Sequence, residues 1–327
     1  MLSKFRLALL ATVITLSPAA LATASAEPLK VIASFSIIGD FAKNVGGERV
    51  EVTTLVGPDG DAHVYEPKPA DAVAMAGADV VLVNGLHFEG FLERLVETSG
   101  AKAQIVELTK GIEPLKMQEE HEAEGEAHEA EGEAHDAAAE EEEEEEGHHH
   151  GDTDPHAFQS IANAKIYVKN IADAFCAADA EGCDAYKANA EAYTQKLAAA
   201  EDEVKAAVAS IPEDKRVIIT SHDAFGYFEH EYGLTFLAPE GVSTEAEASA
   251  ADVAALIRQV REDKASAIFV ESITNARLAE QIATETGLKI GGTLYSDALS
   301  AADGPAPTYI DLMRNNIATI KGAILGS

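Results

Sequence analysis

The sequence predicts an α/β protein of two similar lobes with parallel-type central sheets, joined by one long helix, with any ligand held in the cleft between them. Three observations predict the architecture. Short β-branched runs alternate with helical patterns across residues 29–108 and again across 215–325, the mark of βαβ units and parallel strands. An alanine-rich stretch of helical period, 184–210, lies between the two series. The series also open alike. Leu29-Lys-Val-Ile-Ala-Ser-Phe-Ser-Ile-Ile-Gly-Asp-Phe and Lys215-Arg-Val-Ile-Ile-Thr-Ser-His-Asp-Ala-Phe-Gly-Tyr-Phe each read as strand, Ser-containing turn and aromatic helix.

Taken in order, 30–34 is a first strand and 37–45 a helix that stops at Gly46-Gly47, where glycine ends helices readily. The β-branched run 50–56 is a second strand, 69–77 a short helix opened by Pro69, and 79–83 a buried strand without alternation. Residues 88–98 read as helix and 104–108 as strand. Two helices follow, 159–177 and 184–210. The second has apolar positions at Tyr186, Ala190, Tyr193, Leu197, Val204 and Val208 and ends at Ile211-Pro212. The second series predicts strands at 216–220, 234–237, 267–270 and 289–294, and helices at 224–232, 248–262, 275–286 and 307–325. The expected segments are a cleaved signal at 1–26, an N-terminal lobe at 27–183, a linking helix at 184–211 and a C-terminal lobe at 212–327. A ligand belongs beyond the carboxyl ends of the strands, between the lobes.

Lys4 and Arg6 precede an apolar run, 7–16, and Ala24-Ser25-Ala26 forms an A-x-A site. This reads as a secretory signal with Glu27 as the first mature residue. The run is too short to span a bilayer, and Pro18 interrupts the segment. No cysteine lies near the cleavage site, so no lipid anchor is expected there. The 327 residues carry 57 Asp and Glu against 24 Lys and Arg, a formal charge of −33. Such a charge excludes partners that need cationic neutralisation, nucleic acid and anionic membrane among them. The charge is concentrated: residues 117–152 hold 17 acids, six of the 11 histidines and no Lys or Arg. That window is a low-complexity loop with no apolar period. Cys176 and Cys183 flank a turn between two helical patterns. They suit a short disulfide loop in an oxidising compartment, with a thiolate metal site or a redox pair as alternatives.

Five histidines lie outside the loop. His63 follows the second strand in Gly57-Pro-Asp-Gly-Asp-Ala-His-Val-Tyr-Glu-Pro. His156 precedes a helix in Asp154-Pro-His-Ala-Phe, and His222 ends the first strand of the second series in Thr220-Ser-His-Asp-Ala-Phe-Gly-Tyr-Phe. Asp297, in Leu294-Tyr-Ser-Asp-Ala-Leu, holds the corresponding place after the last strand. Three imidazoles and one carboxylate make a tetrahedral shell that suits Zn²⁺ and accepts Mn²⁺. His87 and His230 read as capping or packing residues, His87 at the opening of a helix and His230 at the end of one.

At these segments the chain resembles the metal-binding subunits of ABC uptake systems for zinc and manganese, the ZnuA type. The resemblance rests on Gly-Asp-Ala-His-x-Tyr-Glu-Pro, Asp-Pro-His, Ser-His-x-Ala-Phe-Gly-Tyr-Phe and Leu-Tyr-x-Asp-x-Leu. It continues into Asp303-Gly-Pro-Ala-Pro-Thr-Tyr and spans about 29–325 except the loop. It implies His63, His156, His222 and Asp297 as metal ligands, and two α/β lobes that close to a limited extent on binding. Manganese members usually present Glu where this chain has His222, which shifts the reading towards zinc. Some zinc members complete the shell with water or Glu, so Asp297 is the ligand most open to replacement. The secretory signal places the expected location in the periplasm, the resemblance implies a membrane permease with its ATPase as partner, and a monomer is expected. A periplasmic metallochaperone is a further candidate partner.

The acidic insertion also looks like that of the zinc members. His121, His128 and His135 recur at intervals of seven, and His148-His149-His150 are adjacent. These are fair zinc ligands, but ordering them costs conformational entropy, so a weaker site that recruits or senses zinc is expected. The competing function is a zinc hydrolase, with Glu245, Glu247 or Glu271 as general base. No H-E-x-x-H is present, and a fourth protein ligand closes the open coordination position that catalysis needs. The expected function is therefore capture of Zn²⁺ for uptake, with manganese or broad divalent-metal uptake as the alternative and no enzymatic activity.

Overall fold

The computed structural model describes residues 27–116 and 153–326. The leader at 1–26 and the six histidines of 117–152 lie outside the described residues. The first series forms β1 (Leu29–Phe35), α1 (Ser36–Gly46), β2 (Val50–Val56), α2 (Pro69–Ala76), β3 (Val80–Val83), α3 (Leu92–Ser99) and β4 (Gln104–Glu107). Then come α4 (Ile161–Ala178) and α5 (Cys183–Ala209). The second series forms β5 (Val217–Ile219), α6 (Gly226–Tyr232), β6 (Thr235–Leu237), α7 (Ala250–Glu262), β7 (Ala267–Glu271), α8 (Arg277–Thr286), β8 (Ile290–Leu294) and α9 (Tyr309–Leu325).

The strands make two four-stranded sheets of the same order, β2-β1-β3-β4 and β6-β5-β7-β8, and all pairings are parallel. In each sheet the chain leaves the first strand to one side and returns to the other. The carboxyl ends of β1 and β3, and of β5 and β7, therefore flank a topological switch point where crossovers diverge and a crevice opens. All four residues of β3 are buried, as expected of a strand covered on both faces.

Helix α5 is about 40 Å long at 1.5 Å per residue. Tyr186, Ala190, Tyr193, Leu197, Val204 and Val208, the apolar face expected from the sequence, are all buried in it. They pack where the two series meet. Phe41 of α1 contacts Tyr193 of α5, Tyr309 of α9 and Tyr167 of α4, with ring centroids 6.2, 4.7 and 6.0 Å away. Asp40 accepts the Tyr193 hydroxyl and the Tyr309 N–H, each at 3.1 Å. Burial pushes the Asp40 carboxyl up, and those donors and Lys43 act against it.

Helices α4, α7 and α9 start two residues later than the apolar pattern suggested, because a hydroxyl closes each of these first turns. Ser160 caps α4, Ser249 caps α7 in a reciprocal capping box with Asp252, and Thr308 caps α9. The largest shift is at α3, and it corrects the reading of His87. Gly85, Leu86 and His87 all adopt positive φ, at 86°, 54° and 60°, so the chain turns there and His87 opens no helix. Leu and His bear a steric cost in this conformation, and the turn brings Phe88 back into the core. His230 lies within α6.

Cys176 and Cys183 are joined in a disulfide that closes the turn between α4 and α5. Loop-closure entropy for so short a loop is worth about 2–3 kcal/mol. Replacing both cysteines with serine is expected to lower the unfolding free energy by that amount in urea titrations, with the slope nearly unchanged.

Candidate metal centre

Four segments converge between the sheets. His63 sits on the turn after β2, His156 just before the short turn Ala157–Gln159 that leads into α4, His222 after β5 and Asp297 after β8. The structure brings together all four residues singled out in the sequence, and their donor atoms lie within 4.8 Å of one another. His63 Nε2 and His222 Nε2 stand 3.2 and 3.1 Å from Asp297 Oδ2. His156 Nε2 is 3.4 Å from His63 Nε2 and 3.7 Å from Asp297 Oδ1. Zinc–nitrogen bonds of 2.0–2.1 Å in a tetrahedron put neighbouring ligand atoms about 3.3–3.4 Å apart, so the cluster matches the span of one small ion.

The local sequence explains how each imidazole is held. An aspartate stands two residues before both His63 and His156, and each accepts the histidine's own backbone N–H at 2.9 Å, from Asp61 Oδ1 and Asp154 Oδ1. Asp154 Oδ1 is also 2.8 Å from His156 Nδ1, which turns Nε2 inward and fixes the tautomer. His222 is held from β7. Glu271 Oε1 accepts the N–H groups of Ser221 and His222 at 2.7 and 2.8 Å. Its Oε2 approaches His222 Nδ1 to 2.6 Å, in ion-pair range but out of hydrogen-bond alignment. Glu271 was named in the sequence only as a general-base candidate; it supports a histidine instead. Glu245 and Glu247 stand elsewhere, Glu245 against Gly90 and Glu247 on a groove beside α7. The repeated Asp-x-His was the sequence signal for the supporting layer, whereas no local pattern linked Glu271 to His222.

The surroundings bury the cluster. His156, His222 and Asp297 have no exposed surface, and His63 retains 6%. Phe88 lies edge-on to His63 and His156, with ring centroids 4.8 and 5.6 Å away. Cross-links between the two series hold the segments. Ser36 Oγ accepts the Leu299 N–H at 2.9 Å, the Asp59 N–H donates to Leu299 O at 2.8 Å, and Gln159 Nε2 donates to Ser296 O at 2.5 Å.

The electrostatics are those of a buried anion among bases. Burial pushes the Asp297 carboxyl up, but His156 and His222 outweigh it and hold the group well below the usual carboxylate range. Burial likewise opposes charge on the two histidines. Asp297 and Asp154 overcome it at His156, and Glu271 and Asp297 raise His222 well above its ordinary value. Asp297 Oδ1 is buried without a hydrogen-bond partner, an expensive condition that a cation would relieve.

Raised histidine values stabilise the fold fully below about pH 6.5, and that contribution is lost as pH rises through the folded values. The depressed Asp297 contributes above about pH 3.9 and loses it as pH falls through its folded value. Chelator-treated protein is therefore expected to melt at a lower temperature at pH 9 than at pH 6. Asp297→Asn should shrink that difference, and nitrogen-15 spectra of the imidazoles should show the protonation midpoints of His156 and His222 falling with it.

Comparison with known proteins agrees with this picture. Residues 31–323 match the family model described as ZnuA, zinc-uptake complex component A, periplasmic. The manganese-binding lipoprotein MntA of Halalkalibacterium halodurans is 33% identical over 298 residues, covering 91% of this chain and 89% of the relative. The iron-binding protein YfeA of Yersinia pestis is 32% identical over 296 residues, covering 90% and 86%. The periplasmic zinc-binding protein TroA of Treponema pallidum superposes with a TM-score of 0.76 at 27% identity, covering 91% of this chain and 99% of its own.

One expectation is corrected. The missing cysteine beside the cleavage site suggested a protein without a lipid anchor, but the Halalkalibacterium relative is described as a lipoprotein. The family supplies solute-binding components of metal ABC transporters rather than enzymes, and from residue 31 to 323 this chain belongs to it, the ZnuA family.

Proposed function

We propose that this protein captures Zn²⁺ outside the cytoplasmic membrane through His63, His156, His222 and Asp297 and delivers it to an ABC permease driven by its ATPase. The observation that carries the reading is the buried cluster itself: three inward Nε2 atoms and an unpartnered carboxylate oxygen within the span of one ion. Four protein donors leave no open position for a substrate, which favours retention over catalysis. The neutral imidazoles lower the charge of the shell to that of one carboxylate, and they suit zinc better than the harder manganese ion.

Loading displaces protons. His156 and His222 hold theirs above the ordinary histidine range in the empty cluster, so zinc affinity should fall on acidification from above about pH 6.5 downward. Competition titrations with a chromophoric chelator are expected to show one tight equivalent of Zn²⁺. His222→Ala should abolish that equivalent, and Glu271→Gln should weaken it by about 10–100-fold through loss of the supporting carboxylate. Retention of the tight equivalent in His222→Ala would overturn the assignment.

Manganese is the second reading, supported by the name of the Halalkalibacterium relative. Nitrogen and oxygen donors bind zinc more tightly than manganese almost regardless of biological role, so affinity alone does not separate the two. Growth of a deletion strain complemented with this chain does. Rescue in chelator-depleted medium is expected from added zinc; rescue by manganese and not by zinc would reverse the reading.

A further inference from the structure

The segment 238–249, between β6 and α7, crosses from the second series to the first directly over His63. Its root is clipped beside His222: the Glu240 N–H donates to Ser221 O at 3.3 Å and the Asp223 N–H to Gly241 O at 3.1 Å. Its far end is fixed by the capping box of Ser249 and Asp252. Between these anchors the tip reaches the other lobe. Thr244 Oγ1 donates to Asp61 Oδ2 at 2.6 Å, and Glu245 Oε1 lies against Gly90, 3.7 Å from where a Cβ would stand. Val242 is buried and, with Ser243, lines a cavity of about 10 Å³ whose other walls include His63, His87 and Pro155. That is room for about one water. His63, beneath it, is the member of the cluster that keeps any solvent exposure.

Asp61 thus does two things with one carboxylate. Oδ1 accepts the N–H of His63, and Oδ2 accepts the hydroxyl of the strap. We infer that 238–249 is a strap that controls passage of the ion at His63, latched by the Thr244–Asp61 hydrogen bond, with Asp61 a positioning residue that couples the latch to His63. This rests on the cluster being the metal site and goes beyond it by naming where the ion passes. The other cross-links described above involve a backbone group at one or both ends. The latch joins two side chains at the rim, so it is the link that opens with least disturbance. A hydroxyl donating to a carboxylate is a charge-assisted bond, so its loss should be felt in the rate of passage.

The test is stopped-flow release of Zn²⁺ from the singly loaded full chain into excess chelator. Thr244→Val is expected to speed release about tenfold, with the melting temperature of the metal-free chain unchanged. Thr244→Ser, which keeps the hydroxyl, should return the rate to that of the parent. Amide exchange across 240–245 should be faster in zinc-loaded Thr244→Val than in the loaded parent. An unchanged release rate in Thr244→Val, or a Thr244→Ser rate equal to that of Thr244→Val, would overturn the strap while leaving the metal site standing. A parent chain that retains neither Zn²⁺ nor Mn²⁺ would overturn the metal reading and the strap with it.

Discussion

A carboxylate cut off from water must be matched by positive charge or give up its own, and Asp297 is such a carboxylate. Three imidazoles from three other segments surround it. Protons on His156 and His222 supply that match in the metal-free chain, and a divalent ion would supply it more fully. The supporting layer follows from the same constraint. Imidazoles that face a buried anion must be oriented, and Asp154 and Glu271 stand behind His156 and His222 to do so. Each of these carboxylates is itself buried, and backbone N–H groups donate to one oxygen of each. The cluster is thus a nested arrangement in which each polar group is justified by the one inside it.

Holding four segments from two sheets within a few ångströms requires a frame that does not splay. The two sheets share a strand order, and their switch points face the same crevice. Behind the crevice, α5 carries a continuous apolar face against α4, α1 and α9, and the Phe41 cluster with Asp40 ties these helices together. In front of it, the cross-links at Ser36, Asp59 and Gln159 fix the loops that bear His63, His156 and Asp297. The strap at 238–249 spans the rim of that frame. The arrangement separates a rigid rear, which sets the donor positions, from a mouth where an ion can pass.

Much of this was legible in the residues. Helical period located the apolar face of α5 down to individual positions, because burial of a helix on one side imposes a 3.6-residue repeat. Strands flanked by helices specified parallel sheets, since a parallel connection needs a crossover. Motif order picked out all four residues of the cluster. Other features were not legible. The positive-φ turn at 85–87 moved α3 and brought His87 to the rim, and neither Leu86 nor His87 announces that conformation. Glu271 was visible only as one acid among many, because its partner is 49 residues away and the approach depends on β5 and β7 being neighbours.

The sequence by itself determined the two-lobed α/β class, the long helix between the lobes and which four residues come together in the cleft. These depend on local periodicity and on short segments whose chemistry is carried by adjacent residues. Only the tertiary structure decided which carboxylates stand behind which histidines, that Asp297 is fully enclosed, and that a strap is latched to Asp61 across the cleft. Those are contacts between segments distant in the chain, and their geometry arises only when two sheets and the helices around them pack to one density.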